Sequence, residues 1–165
     1  MYLLRWLWKL FFKKKEFMAE LGSYGTLAID RSSKNYVKIM DAAQLNGYRY
    51  EAKDRHDPEF LEVTDQIVAE LGKSFGISFY LLVNNSHREV EVELTTKILH
   101  PVITNPIRQL RAKSQTDTFL YKTPYYQYLY IYFEHAYELV PGTWTFQVWK
   151  SSKLLLEKSF EVMLK

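Results

Sequence analysis

Tyr137-Glu-Leu-Val-Pro-Gly-Thr-Trp-Thr-Phe-Gln-Val-Trp149, a Ser-Ser turn, and Leu154-Leu-Leu-Glu-Lys-Ser-Phe-Glu-Val162 decide the fold. Trp144, Phe146 and Val148 alternate with Thr143, Thr145 and Gln147, the period of two that a half-buried strand needs. Pro141-Gly142 stops what precedes it, and Phe160, Val162 and Leu164 give the returning strand the same period. A lone two-stranded ribbon with one apolar face is marginal in water, so a second sheet must cover it.

Such a sheet is available upstream. Gly22 to Ile29 reads as a first strand, with Gly22 ending a preceding helix. Tyr36–Met40 and Tyr48–Ala52 are extended pieces joined by an Asn46-Gly47 hairpin signal. Leu61 to Leu71 alternates as one strand, with a bulge expected at Asp65. Phe75, Ile77, Phe79, Leu81 and Val83 make a clear strand that Asn84-Asn85 turns. Val90, Val92 and Leu94 alternate with Glu89, Glu91 and Glu93, an acidic outward row that would protect an edge. His100-Pro101 and Asn105-Pro106 enclose an expected loop, followed by a basic, poorly periodic stretch from Ile107 to Asp117. Tyr121 to Tyr137 is a tyrosine-rich strand leading back to the hairpin. Short strands at this spacing predict an all-β, antiparallel sandwich.

Composition agrees. The chain has 165 residues, 16% of them aromatic, with 13 Tyr and 10 Phe, residues that favour pleated surfaces. Cysteine is absent, which removes disulfides, thiol nucleophiles and zinc-thiolate sites. Of the net charge of +3, residues 1–18 carry +4 and the remainder −1, so nucleic acid is not an expected partner for the globular part.

Residues 1–20 read as an amphipathic aromatic and basic helix preceding a sandwich domain at 21–165. Arg5, Lys9 and Lys13 fall at helical spacing on one stripe, while Trp6, Trp8, Phe11 and Phe12 help cover the rest. Twelve helical residues reach about 18 Å against a hydrocarbon core of about 30 Å, too short to cross upright. The segment would instead lie in the interface, with Trp6, Trp8, Lys9, Phe11, Phe12 and Lys13 as membrane contacts. The charges follow the apolar run and no small-residue cleavage site is convincing, so the expected location is peripheral to the inner membrane. Docking of this helix on its own domain or on a second copy is the plain structural alternative.

Gly72-Lys-Ser-Phe-Gly-Ile77, His100-Pro101 with Asn105-Pro106, Tyr137 to Trp149 and Leu155 to Val162 together resemble the bacterial family catalogued as domain of unknown function 3859. The resemblance runs from about Ser23 to the C-terminus. It implies an immunoglobulin-like β-sandwich, carries no established activity, and implies Trp at the position of Tyr137.

Few residues suggest chemistry. If Ile131 and Phe133 face the core, Tyr128, Tyr130 and Tyr132 form an outward ladder about 6.8 Å apart, with Trp149 on the same side. That ladder could stack on sugars, bases or a protein partner; it is also what a half-wet strand looks like. Asp54, His56, Asp57 and Glu59 are the tight cluster of hard ligands, but they match no metal spacing and read more simply as a turn. No phosphate loop, G-x-S-x-G elbow or HExxH pair occurs. His135 beside Glu134 projects to the opposite strand face, and His100 is fixed before a proline. The expected function is therefore a non-catalytic binding or structural module without cofactor or metal. The alternatives are carbohydrate or nucleic-acid binding on the tyrosines, and a loop-borne hydrolase with His56 or His100 as base.

Overall fold

The hairpin forms as its pattern requires, and it forms the centre of one sheet of a two-sheet sandwich. The computed structural model describes residues 16–31, 35–52, 57–83 and 89–165. Its strands are β1 (Phe17–Ala28), β2 (Tyr36–Met40), β3 (Tyr48–Ala52), β4 (Glu59–Glu62), β5 (Gln66–Ala69), β6 (Ser74–Val83), β7 (Val90–Asn105), β8 (Leu110–Thr123), β9 (Tyr126–Tyr132), β10 (Gly142–Lys150) and β11 (Lys153–Leu164). One sheet runs β4-β1-β6-β9, the other β5-β11-β10-β7-β8, and β2-β3 is a separate two-stranded ribbon. All pairings are antiparallel except β5 with β11.

The core lies where β6 meets β10 and β11. Phe75 of β6 packs its ring against Phe133, Trp144, Phe146 and Phe160, with centroids 5.5, 5.7, 5.5 and 5.3 Å away. Trp144, Phe146, Val148, Phe160 and Val162 all face inward and are buried, as their alternation predicts. Leu164, in phase with them, is 58% exposed because the strand has run past the sandwich's rim.

Several elements depart from their sequence patterns. No helix reaches Met18: β1 begins at Phe17, and Phe17 to Leu21 pair with Val83 to Phe79. Phe17 and Ala19 pack against the core while Met18 and Glu20 are exposed, so period two wins over any helical continuation once β6 offers a partner. The sandwich thus starts before residue 21, and the amphipathic segment from Trp6 to Lys13 lies outside the described residues. Gly22 is not a helix stop but sits inside β1, at a register shift between Leu21 and Tyr24.

Leu61 to Leu71 is two strands rather than one. β4 pairs with β1 in one sheet, β5 with β11 in the other, and Val63 to Asp65 crosses between them. Gly25 makes this possible: its φ is +128°, and a Cβ there would fall 1.9 Å from the Glu62 carbonyl oxygen. The expected His100 to Pro106 loop is also strand. β7 continues to Asn105 through a bulge between Leu99 and Ile103, where Pro101 forfeits no ladder bond. The turn is confined to residues 106–109, after which the basic stretch is β8. Glu91 and Glu93 do face solvent, but β7 lies between β10 and β8, so they guard no edge.

Replacing Phe75 by Ala empties the ring cluster and is expected to cost about 3–5 kcal/mol in urea unfolding. Leu164→Ala, at the exposed rim, should stay within about 0.5 kcal/mol of wild type.

Candidate functional site

Between β2 and β3 the sequence places a loop, residues 41–47, whose polar groups are tied down one by one. Glu138, in the 3-10 turn Ala136–Glu138, accepts the backbone N–H groups of Glu134 and His135 at 2.7 and 2.8 Å and the Asn46 amide at 2.7 Å. Tyr137 donates its hydroxyl to Asn46 Oδ1 at 2.6 Å and accepts from Asn105 Nδ2 at 3.1 Å. Burial and the neighbouring Glu138 and Glu134 carboxylates push its pKa up to about 12. Asn105 also donates to the Leu45 carbonyl, and the Arg108 guanidinium to the carbonyls of Ala42, Gln44 and Leu45. Gln44 donates to Asp117 of β8 at 2.8 Å. This loop is thereby fixed to β7, β8 and the 3-10 turn together.

The ribbon β2-β3 grows from that base and covers the tyrosine ladder. Tyr48 and Tyr50 leave β3 on one face: the Tyr48 hydroxyl lies 2.7 Å from His135 Nε2, and Tyr50 donates to Glu134 Oε1 at 3.2 Å. Arg31 sits between two rings, its guanidinium carbon 4.7 Å from the centroids of both Tyr50 and Tyr132, and its Nη1 is 3.7 Å from Glu134 Oε2. Lys38 Nζ lies 3.4 Å from the Tyr48 ring centre. On the other face of β3, Arg49 reaches the Phe119 ring on β8 at 5.5 Å. Burial, then the Glu134 carboxylate, raises the pKa of Tyr48 and Tyr50; burial, then a hydrogen bond with Tyr36, raises that of Tyr130.

The ladder is therefore not the open face its alternation suggests. Tyr128, Tyr130 and Tyr132 are all partly buried on β9. Trp149 does not join them: it lies on β10, in the other sheet, and donates to Gln147, which donates in turn to Glu157. His135 and Glu134 follow the end of β9, so strand alternation no longer separates them, and the ribbon's two tyrosines engage both.

Beside the ribbon, a cleft of about 420 Å³ enters the sandwich between the edges of β8 and β9. Arg31, Tyr50 and Glu134 stand at its walls, Gln115 and Asp117 on β8, and Trp144 with His100 in its lining. Arg31 Nε and Glu134 Oε2 are shielded from water without a hydrogen-bond partner among the described residues. The His100 ring packs 5.0 Å from that of Trp144, and its Nδ1 donates to the Pro101 carbonyl at 2.7 Å. Burial lowers its pKa. Tyr121 of β8 also lines the cleft, and burial pushes its pKa up to about 12.

Of the other residues marked by sequence, Asp54 and His56 lie outside the described residues, and the described residues hold no group of three His, Asp or Glu able to bind a metal. Sequence reasoning does not single out Arg31, Tyr48 or Tyr50, and it weighs Glu134 only as a neighbour of His135. The Tyr48-Arg-Tyr50 alternation was the available signal, since a ribbon that short buries side chains only against something else.

A family model described as domain of unknown function (DUF3859) matches residues 41–162. No curated protein matches the chain. Among solved structures, an immunoglobulin-like protein from Pseudomonas aeruginosa aligns with a TM-score of 0.62 over 92% of this chain and 100% of its own, at 21% identity, a likeness of fold.

Glu138→Gln turns one acceptor into a donor facing N–H groups and is expected to cost about 1–3 kcal/mol, with faster hydrogen exchange across residues 41–52. His100 gives a pH dependence. Its folded pKa is lowered from the ordinary 6.5, so the unfolded chain takes up a proton first as pH falls. Its contribution is full above 6.5 and is lost below it, and the urea midpoint of wild type should drop more steeply than that of His100→Gln between about pH 7 and about pH 5.

Proposed function

From membership of the domain of unknown function 3859 family, to which this chain belongs, we propose a non-catalytic binding module. In this reading an immunoglobulin-like sandwich takes its ligand in the cleft between β8 and β9 and is held at a membrane surface through residues 1–18.

The observation that carries the ligand reading is the cleft, with the Arg31 guanidinium set between the Tyr50 and Tyr132 rings in its wall, Glu134 beside it at ion-pair distance, and Arg31 Nε and Glu134 Oε2 each without a hydrogen-bond partner among the described residues. Buried polar atoms without partners are costly and point to a group that completes them. The reading is non-catalytic because the candidate acids and bases are committed to structure. Glu138 holds two backbone N–H groups and Asn46, His135 is engaged by Tyr48, and His100 donates to a carbonyl in its own strand. A ligand stacking on the tyrosine ladder from outside would first have to displace β2-β3, so sugar or peptide recognition moves from the open face to the cleft.

The membrane reading rests on the aromatic and basic side chains of residues 1–18 and is favoured by where the chain enters the sandwich. Lys153 Nζ lies 3.4 Å from Glu16 Oε1, and Lys150 Nζ 5.9 Å from the Phe17 ring. A bilayer meeting the segment before Glu16 would meet the lysines of the β10–β11 turn as well.

Full-length protein is expected to float with vesicles of phosphatidylethanolamine and phosphatidylglycerol, and the full-length variant with Trp6, Trp8, Phe11 and Phe12 changed to Ser to remain below. Equal flotation removes the membrane part. For the cleft, Gln115→Trp sets an indole in its mouth: ligands captured by wild type from glycan and peptide arrays should bind this variant about tenfold or more weakly. A blank wild-type array, or capture indifferent to the substitution, overturns the ligand reading.

A further inference from the structure

The walls of the cleft are strand edges, not strand faces. On β8 its lining includes Arg111 and Ala112, then Ser114, Gln115 and Thr116; on β9 it includes the unbroken run 128–132. Successive strand residues point to opposite faces, so a wall built of consecutive residues presents the main chain itself. Among the described residues β8 pairs only with β7 and β9 only with β6, and the ribbon β2-β3 pairs with neither. Each edge therefore offers a row of N–H and C=O groups without strand partners, the template onto which another extended chain adds.

We propose that the cleft binds an extended polypeptide as an added strand on the outer edge of β8. This rests on the ligand reading above and names its class. β8 is the longer template, Leu110–Thr123 against Tyr126–Tyr132. An added strand's alternate side chains would enter between the sheets, where Leu129, Ile131, Ile103 and Trp144 give them an apolar floor. The side chains between them would face outward, past Arg111 and the Arg31–Glu134 pair. A peptide of alternating apolar and polar residues fits both requirements at once: amide groups for the edge, apolar groups for the floor. A saccharide would satisfy the side chains at the mouth but leave the amide row of β8 unpaired.

The ribbon fits this role. Its base is fixed through Asn46, Arg108 and Gln44, while among the described residues β2 and β3 reach the sandwich through side chains such as Tyr50 and Arg49. It closes one side of the channel without occupying the edge.

The test uses the full-length chain and a display library of random nonapeptides, a length that covers the roughly 23 Å of a seven-residue strand. Enriched peptides are synthesised plain, N-methylated at odd positions and N-methylated at even positions. On a strand bound along one edge, every second N–H faces β8, so one methylated series should bind about tenfold weaker or worse and the other should retain binding. Amides of residues 110–118 should exchange more slowly in the complex. Equal tolerance of both series overturns the added strand, because it shows recognition without main-chain pairing; so does a library with no enrichment over background. Glycan capture blocked by Gln115→Trp in the absence of peptide binding would leave the cleft as a ligand site and remove this inference alone. Capture indifferent to Gln115→Trp would remove both.

Discussion

One ring holds the two sheets in register. Phe75 projects from β6 into Trp144, Phe146 and Phe160 of the opposing hairpin and into Phe133 of the segment that returns from β9. Ring contacts of this kind, three edge-on and one tilted, add about 0.5–1.5 kcal/mol each beyond the area they bury. They also fix orientation, because a tilt of either sheet breaks several at once. The hairpin that sequence marks as decisive is thus half of a joint whose other half is a single residue of β6.

A joint at the centre leaves the two sides of the sandwich to close independently, and they close differently. On the β4–β5 side, the chain itself crosses from one sheet to the other through Val63 to Asp65, and Gly25 admits the crossing backbone. Thr64 receives the N–H of Gln66, and Asp65 that of Glu161, so the crossing leaves these main-chain groups paired. On the β8–β9 side Tyr121 of β8 still packs on Phe79, but the inward positions Gln115 and Asp117 are polar where β10 at the same levels carries Phe146 and Val148. Polar side chains cannot zip against Leu129 and Ile131, and the edges stay apart. The loop 41–47 and the ribbon above it cover that gap with hydrogen bonds and ring contacts instead of a sheet.

This division explains what could be read in the sequence. The sandwich was legible because its centre is built from strict alternation, in Phe75 to Val83 and in Trp144 to Val162, and β2 and β3 were legible from Asn46-Gly47. Resemblance carried the immunoglobulin-like class. What misled were places where geometry overrides pattern. Leu61 to Leu71 alternates as one strand, yet of its apolar set Ile67 and Ala69 are buried while Leu61, Val63 and Leu71 are exposed, and nothing in that alternation records a change of sheet. Pro101 and Pro106 mimic loop boundaries, yet a bulge absorbs the first. The tyrosine ladder has the right period for an exposed face, but exposure depends on a ribbon more than seventy residues earlier, whose docking rests on Glu134, His135 and Glu138. Long-range side-chain pairing leaves no period in either segment.

The tyrosines are tyrosines because of how the ribbon is held. A ribbon without main-chain bonds to either sheet must be held by side chains that are apolar along their length and polar at their tips. Tyr48, Tyr50 and Tyr132 meet that need: their rings pack on one another or on Arg31 and Lys38, while the Tyr48 and Tyr50 hydroxyls reach His135 and Glu134. Phenylalanine would supply the packing and strand the carboxylate; serine would supply the bond and no packing. The tyrosine-rich composition therefore follows from covering an open sandwich edge with an element that never joins the sheet, and a free edge of β8 is what such a cover leaves beneath it.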